Sequence, residues 1–205
     1  MKIVPESCTI VLLGYWNQYL LTPEWAAKNV FKQKEIKVEF ALQLEAPPRY
    51  TAGDVRLEPR SNRVTFAAIK HDDETLVRME TMALNLVNIL EHTPVKAVGL
   101  NFGFEDAIEG DPLINLLNLQ DNILINKIGC EIENTSITRK LKIDNNIINF
   151  KVEAQGARVH FGFNYHFDVK ETKEIPDKIS GKVVSKKNDA IKYLKDIYGL
   201  ELDPE

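Results

Sequence analysis

The densest run of chemically capable side chains is Arg158–Asp168, where alternate positions carry Arg158, His160, Gly162, Asn164, His166 and Asp168. The positions between them carry Val159, Phe161, Phe163, Tyr165 and Phe167. A period of two is that of a strand with one apolar and one polar face. A guanidinium, two imidazoles, an amide and a carboxylate on one face are groups that line a pocket, and a histidine near its ordinary pKa serves as acid, base or ligand. Spacing limits that chemistry. His160 and His166 stand roughly 20 Å apart at about 3.3 Å per residue, too far to share one metal ion. His166 with Asn164 or Asp168 supplies two ligands, short of the four of a structural zinc site. The solvent-facing side of an antiparallel strand is polar without any chemical task, which is the plainer account of the row.

A second asymmetric run is Val95–Glu105: Val98, Leu100, Phe102 and Phe104 form one face, and Ala97, Gly99, Asn101 and Gly103 the other. A face of small residues lets a ligand or a packed element approach closely, although bulges and bends use the same letters. The triplet Phe102-Gly103-Phe104 recurs as Phe161-Gly162-Phe163, each preceded by a polar residue, Asn101 and His160. If the two strands pair, Gly99, Gly103 and Gly162 make a shallow depression beside Asn101 and His160. The ligand-binding candidates are therefore Asn101, Arg158, His160, Asn164 and His166. No catalytic residue, metal site or cofactor is assigned.

Other groups have structural explanations. Arg49, Arg56, Arg60 and Arg63 could fork around an anion, but acids interleave them, and a charged hairpin that resists edge-to-edge pairing accounts for them. His71-Asp72-Asp73-Glu74 reads as a loop entering a helix, with an aspartate as its cap. The sequence has no phosphate-binding glycine loop, no GxSxG elbow, no HExxH and no zinc-knuckle spacing. Whether the chain is an enzyme is left open.

The elements that must position these groups follow from pattern and breakers. Thr9–Asn17 is a β-type run, and Thr22-Pro23-Glu24 begins a helix reaching about Lys32. Ile36–Leu44 alternates as a half-buried strand. Asp54–Glu58 and Arg63–Lys70 form a hairpin, and a helix runs from Asp73 to about His92 with apolar residues on more than one side. After the strand at Val95 come a short helix from Asp111-Pro112 to about Leu119, a strand-like stretch Ile123–Thr138 broken near Gly129, and a strand Ile147–Ala154. Ala157–Val169 follows the turn at Gly156, and Lys186–Tyr198 is an amphipathic helix ended by Gly199. The short connections exclude parallel crossovers, so the expected fold is α+β with a largely antiparallel sheet. The order β-α-β-β-β-α repeats in 1–94 and 95–205, which reads as one unit of two similar halves. The expected core includes Val11, Leu13, Val38, Phe40, Phe66, Leu76, Met79, Leu86, Val98, Leu100, Phe102, Phe161, Phe163 and Leu194.

Composition closes off several classes. The chain has 205 residues, 44% hydrophobic and 27% charged, with a mean hydropathy of −0.24, enough apolar material to bury a core unaided. A net charge of −4 disfavours nucleic acid. The lysines at 170, 173, 178, 182, 186, 187, 192 and 195 are interleaved with acids and read as a solvated surface. Cys8 and Cys130 lie in apolar runs as small buried hydrophobes. No apolar run is long enough to span a membrane or serve as a signal peptide, so a cytoplasmic location is expected. The functional expectation is a non-catalytic binding module that self-associates or meets another protein, through apolar surface near Tyr15, Trp16 and Tyr19 and on the middle helix. The alternative is a small-molecule cavity protein holding a small organic ligand beside His160, Asn164 and Asn101.

Overall fold

Period-two alternation in the sequence becomes a single antiparallel sheet. The computed structural model describes residues 1–40, 47–108, 113, 116–117, 119–143 and 146–203. Its strands are β1 (Lys2–Ile3), β2 (Thr9–Gly14), β3 (Lys37–Glu39), β4 (Arg49–Ala52), β5 (Val55–Pro59), β6 (Arg63–Ala68), β7 (Val95–Ala107), β8 (Asn134–Ile143), β9 (Asn146–Gln155) and β10 (Arg158–Asp168). The helices are α1 (Pro23–Ala26, continued by a π-helical turn at Ala27–Phe31), α2 (Asp73–Ile89), α3 (Asn122–Lys127), α4 (Ile175–Ile179) and α5 (Val183–Tyr198). The strand order is β3-β4-β5-β6-β2-β7-β10-β9-β8, with β1 also paired to β7. The α+β fold with an antiparallel sheet is therefore as expected. Outward from the central β2/β7 pair, hairpins lead to β3 on one side and to β8 on the other. Two-residue turns set the register where Gly53 and Gly156 take φ of 58° and 59°, a region closed to most side chains.

Helices cover one face of the sheet. Ile10, Leu12, Phe66, Val98, Leu100, Phe102, Phe104, Phe161 and Phe163 point into that layer and are buried. Thr22 caps α1 by accepting from the Trp25 amide at 3.3 Å, and Asp72 caps α2 by accepting from the Thr75 amide at 2.8 Å. The two-sided apolarity of α2 has a direct cause: it packs against the sheet, α4, α5 and the π-turn, burying Leu76, Met79, Met82, Ala83, Leu86 and Val87. Only Val77 and Ile89 of its large apolar side chains are left exposed. Among the described residues no helix is long and apolar enough to cross a membrane.

Several expectations need correction. In β2 the inward residues are Ile10 and Leu12, while Val11 is half-buried and Leu13 is 40% exposed. The run is apolar on both faces, so alternation cannot choose between them. Val38 is half-buried and Phe40 is 74% exposed, because β3 is an edge strand that ends at Glu39. The rest of the strand expected to Leu44 lies outside the described residues, as does most of the helix expected from Asp111. Ile123–Thr138 is not a strand throughout; it holds α3, and β8 begins at Asn134. Cys130 is consequently exposed, whereas Cys8 is buried. Trp16 is buried too, donating its indole N–H to the Leu12 carbonyl at 3.0 Å, while Tyr15 and Tyr19 face solvent.

Burial pushes the Cys8 thiol up to about 11 from an ordinary 9.0, and it also raises the hydroxyls of Tyr50, Tyr165 and Tyr198. These groups stay neutral in the folded chain at a pH where the unfolded chain ionises. Stability is thus intact below pH 9 and falls as pH climbs toward 11. At about 1.4 kcal/mol per pH unit of separation, Cys8 accounts for about 2 kcal/mol of the loss between pH 8.5 and 10.5. Urea titrations at those two pH values should show a smaller drop, by about that amount, for Cys8→Ala than for the wild type. An equal drop in both would remove Cys8 from the account.

Candidate functional site

Among the described residues no helix covers the opposite face of the sheet, and all five candidate residues lie on it. Asn101 and Asn164 stand directly opposite each other across β7 and β10, and Asn149 of β9 and Thr9 of β2 extend the same row. Their side chains form a directional ladder. Asn149 Nδ2 donates to Asn164 Oδ1 at 2.9 Å, Asn164 Nδ2 to Asn101 Oδ1 at 2.6 Å, and Asn101 Nδ2 to Thr9 Oγ1 at 2.9 Å. Asn164 and Asn101 each accept one bond and give another, and Asn149 heads the row as a donor, so the three orient one another across four strands.

The glycines of this face make room for that ladder. The Phe-Gly-Phe triplets pair directly, Phe161 with Phe104, Gly162 with Gly103 and Phe163 with Phe102. A Cβ on Gly99 would lie 2.8 Å from Asn164 Nδ2, and one on Gly103 would lie 2.8 Å from the Ser7 Cβ. The depression expected over Gly99 and Gly103 is therefore occupied by the Asn164 amide and by Ser7, whose hydroxyl accepts from the Gly103 amide at 3.1 Å. Gly162 alone of the three stays open, with only Lys151 Cβ at 3.8 Å. What remains is a shallow recess of about 420 Å³ lined by Ser7, Asn101, Asn149, Lys151, Gly162 and Asn164.

Ionisable groups flank the amides, each beside a carboxylate. Arg158 Nη1 and His160 Nδ1 approach Glu105 Oε2 at 3.8 and 3.9 Å, and His166 Nε2 lies 3.0 Å from Asp168 Oδ1. Lys151 binds Glu153 at 2.8 Å and, with Asn134, holds that carboxyl below the usual carboxylate range. On the other half of the face Arg56 meets Glu6 at 2.5 Å, and Arg49 and Arg60 share Glu58 at 3.5 and 2.8 Å. Those arginines are engaged by carboxylates, in keeping with a charged hairpin rather than an anion site.

The structure thus brings Asn101 to Asn164, and Arg158 to His160 through Glu105, but keeps His160 and His166 apart, facing Glu105 and Gly99 across the strand pair. Sequence reasoning missed Asn149, Thr9, Ser7 and Glu105. Asn149 was within reach: counting back through the two-residue turn at Gly156 pairs it with Asn164. The other three depend on pairings between distant segments, which no local signal reveals. Among the described residues no group of His, Cys, Asp and Glu is arranged to hold a metal ion. What the face presents is amides, hydroxyls and paired charges. No protein-family model matches the chain, and no curated protein does.

Proposed function

We propose that this chain is a non-catalytic interaction module that self-associates through the uncovered face of its sheet. The observation that carries the reading is the one-sidedness of the fold: helices bury one face, while the other presents an ordered row of amides between paired charges. Acids and bases stand side by side over much of that face, so a second copy related by a twofold axis that passes between an acid and a base sets acid against base. Val11 and Leu13 on β2 and Ile147 on β9 supply partly exposed apolar area between the polar rows.

Gly162→Arg tests the idea, because a side chain there meets only Lys151 at ordinary contact distance and projects onto the open face. Sedimentation equilibrium should show a dimer for the wild type and at least an about tenfold weaker one for Gly162→Arg, with unchanged circular dichroism. A monomer at high micromolar concentration, or a dimer indifferent to the substitution, defeats the proposal.

The recess beside Asn101, Asn149 and Asn164 favours a second reading, a small organic ligand held by the ladder. Native mass spectrometry separates the two. Added mass per chain that disappears on denaturation supports the ligand, and a bare multiple of the chain mass supports the assembly.

A further inference from the structure

The strand order ends at β8, a ten-residue strand whose outer side pairs with no strand among the described residues. Its sequence, NTSITRKLKI, contains Arg139, Lys140 and Lys142 and no acid. Pairing to β9 sorts these side chains by face. Thr138, Lys140 and Lys142 stand opposite Lys151, Asn149 and Ile147 and so share the open face. Ile137, Arg139, Leu141 and Ile143 share the helix-covered face, where Ile137 and Leu141 are half-buried and Ile143 is 52% exposed. Neither Lys140 nor Lys142 has a hydrogen-bond or ion-pair partner among the described residues. Arg49, Arg56, Arg60, Lys151 and Arg158 on the same face each meet a carboxylate.

We infer that the free edge of β8 receives an extended segment of a partner protein in which acids alternate with apolar residues. An added strand finds unpaired backbone N–H and C=O groups along β8, which supply register-independent attraction. Side chains give the selection. Residues of the incoming strand that share the open face come about 5 Å, Cβ to Cβ, from Lys140 and Lys142, so carboxylates there meet two unpaired ammonium groups. The alternate residues fall beside Ile137, Leu141 and Ile143 and extend the apolar layer. Lysines on an edge ordinarily keep other edges away. Here they reject a second copy of β8, which would bring like charges together, and leave an acidic strand as the complement. The backbone edge of β8 lies at the margin of the face assigned above to self-association, where Lys140 and Lys142 reach it, and neither proposal requires the other.

The test uses the full chain and a blocked peptide of the same length as β8 that alternates glutamate with valine, labelled for fluorescence anisotropy. The glutamate peptide should bind, and the same peptide with lysine for glutamate should not. Salt near 0.5 M should weaken the binding several-fold by screening. The double variant Lys140→Glu/Lys142→Glu should lose at least about tenfold in affinity for the glutamate peptide and gain binding of the lysine peptide. Hydrogen exchange should place the peptide, protecting amides within 134–143 that point away from β9. Equal affinity for both peptides, no reversal in the charge-swapped variant, or protection elsewhere each overturns the inference. Because the swapped variant must gain a ligand, a merely unfolded protein cannot imitate the expected result.

Discussion

Replacing Glu80 with alanine should lower the free energy of unfolding by about 3 kcal/mol, as a fall in the urea midpoint with an unchanged slope. Glu80 is a charged residue only 9% exposed, on the side of α2 that faces α5. Its carboxylate accepts three backbone hydrogen bonds: from Gly181 at 2.7 Å, Lys182 at 3.2 Å and Val183 at 3.1 Å. These are the amides of the two residues that lead into α5 and of its first residue, Val183, which has no acceptor within its own helix. Lys182, at the cap position, supplies no side-chain capping bond; its Nζ donates to the Asp177 carbonyl at 2.6 Å instead. A local cap is worth about 0.5–2 kcal/mol. Glu80 adds a negative charge at the positive end of the helix dipole and accepts from three amides at once, the buried Val183 amide among them, which places the loss above that range. Glu80→Gln keeps one oxygen but turns an NH₂ group toward N–H donors, so it should lose roughly half as much. Hydrogen exchange at residues 181–183 should speed up in both variants. A loss under about 1 kcal/mol for Glu80→Ala would mean that water replaces the carboxylate at little cost.

The same contact shows where sequence reading stops. The amphipathic pattern of α5 is legible from Lys186 onward, and Gly199 marks its end with φ of 68°. Its first turn is not legible, because the cap comes from a residue about a hundred positions earlier. The candidate site divides along the same line. The polar row of β10 and the small-residue face of β7 could be read directly, since alternation is a local property of a strand. That the two Phe-Gly-Phe triplets face each other, and that Gly99 exists to admit the Asn164 amide, required the register of β7 on β10. Where both faces of a strand are apolar, as in β2, alternation carries no information, and Val11 and Leu13 were assigned to the wrong side. Where apolar residues are arranged for neither period, as in Ile123–Ile128, a short exposed helix resembles a strand.

Phe150→Ala should cost about 4 kcal/mol, a large share of the 5–15 kcal/mol that holds an ordinary domain together. The Phe150 ring is fully buried at the junction of β9 and α5. It lies 4.8 Å from Phe163, 5.1 Å from Tyr193, and 6.3 Å from both Phe161 and Tyr198, centroid to centroid. Truncation removes the transfer energy of the ring, opens a cavity that stiff aromatic neighbours cannot fill, and deletes ring contacts worth about 0.5–1.5 kcal/mol each. Phe40→Ala, at a site 74% exposed, is the matching control and should stay within about 0.5 kcal/mol of the wild type. The damage should also be local. Among the described residues β9 is the only strand that ties β8 to the sheet, and Asn149, beside Phe150, begins the amide ladder. In Phe150→Ala the amides of β8 and β9 should therefore lose exchange protection before those of β2 and β6. The acidic peptide should lose its edge under conditions where α2 remains folded. If protection falls uniformly across the sheet instead, β8 and β9 are part of one cooperative unit with the central strands, and peptide binding at the edge will track global stability alone.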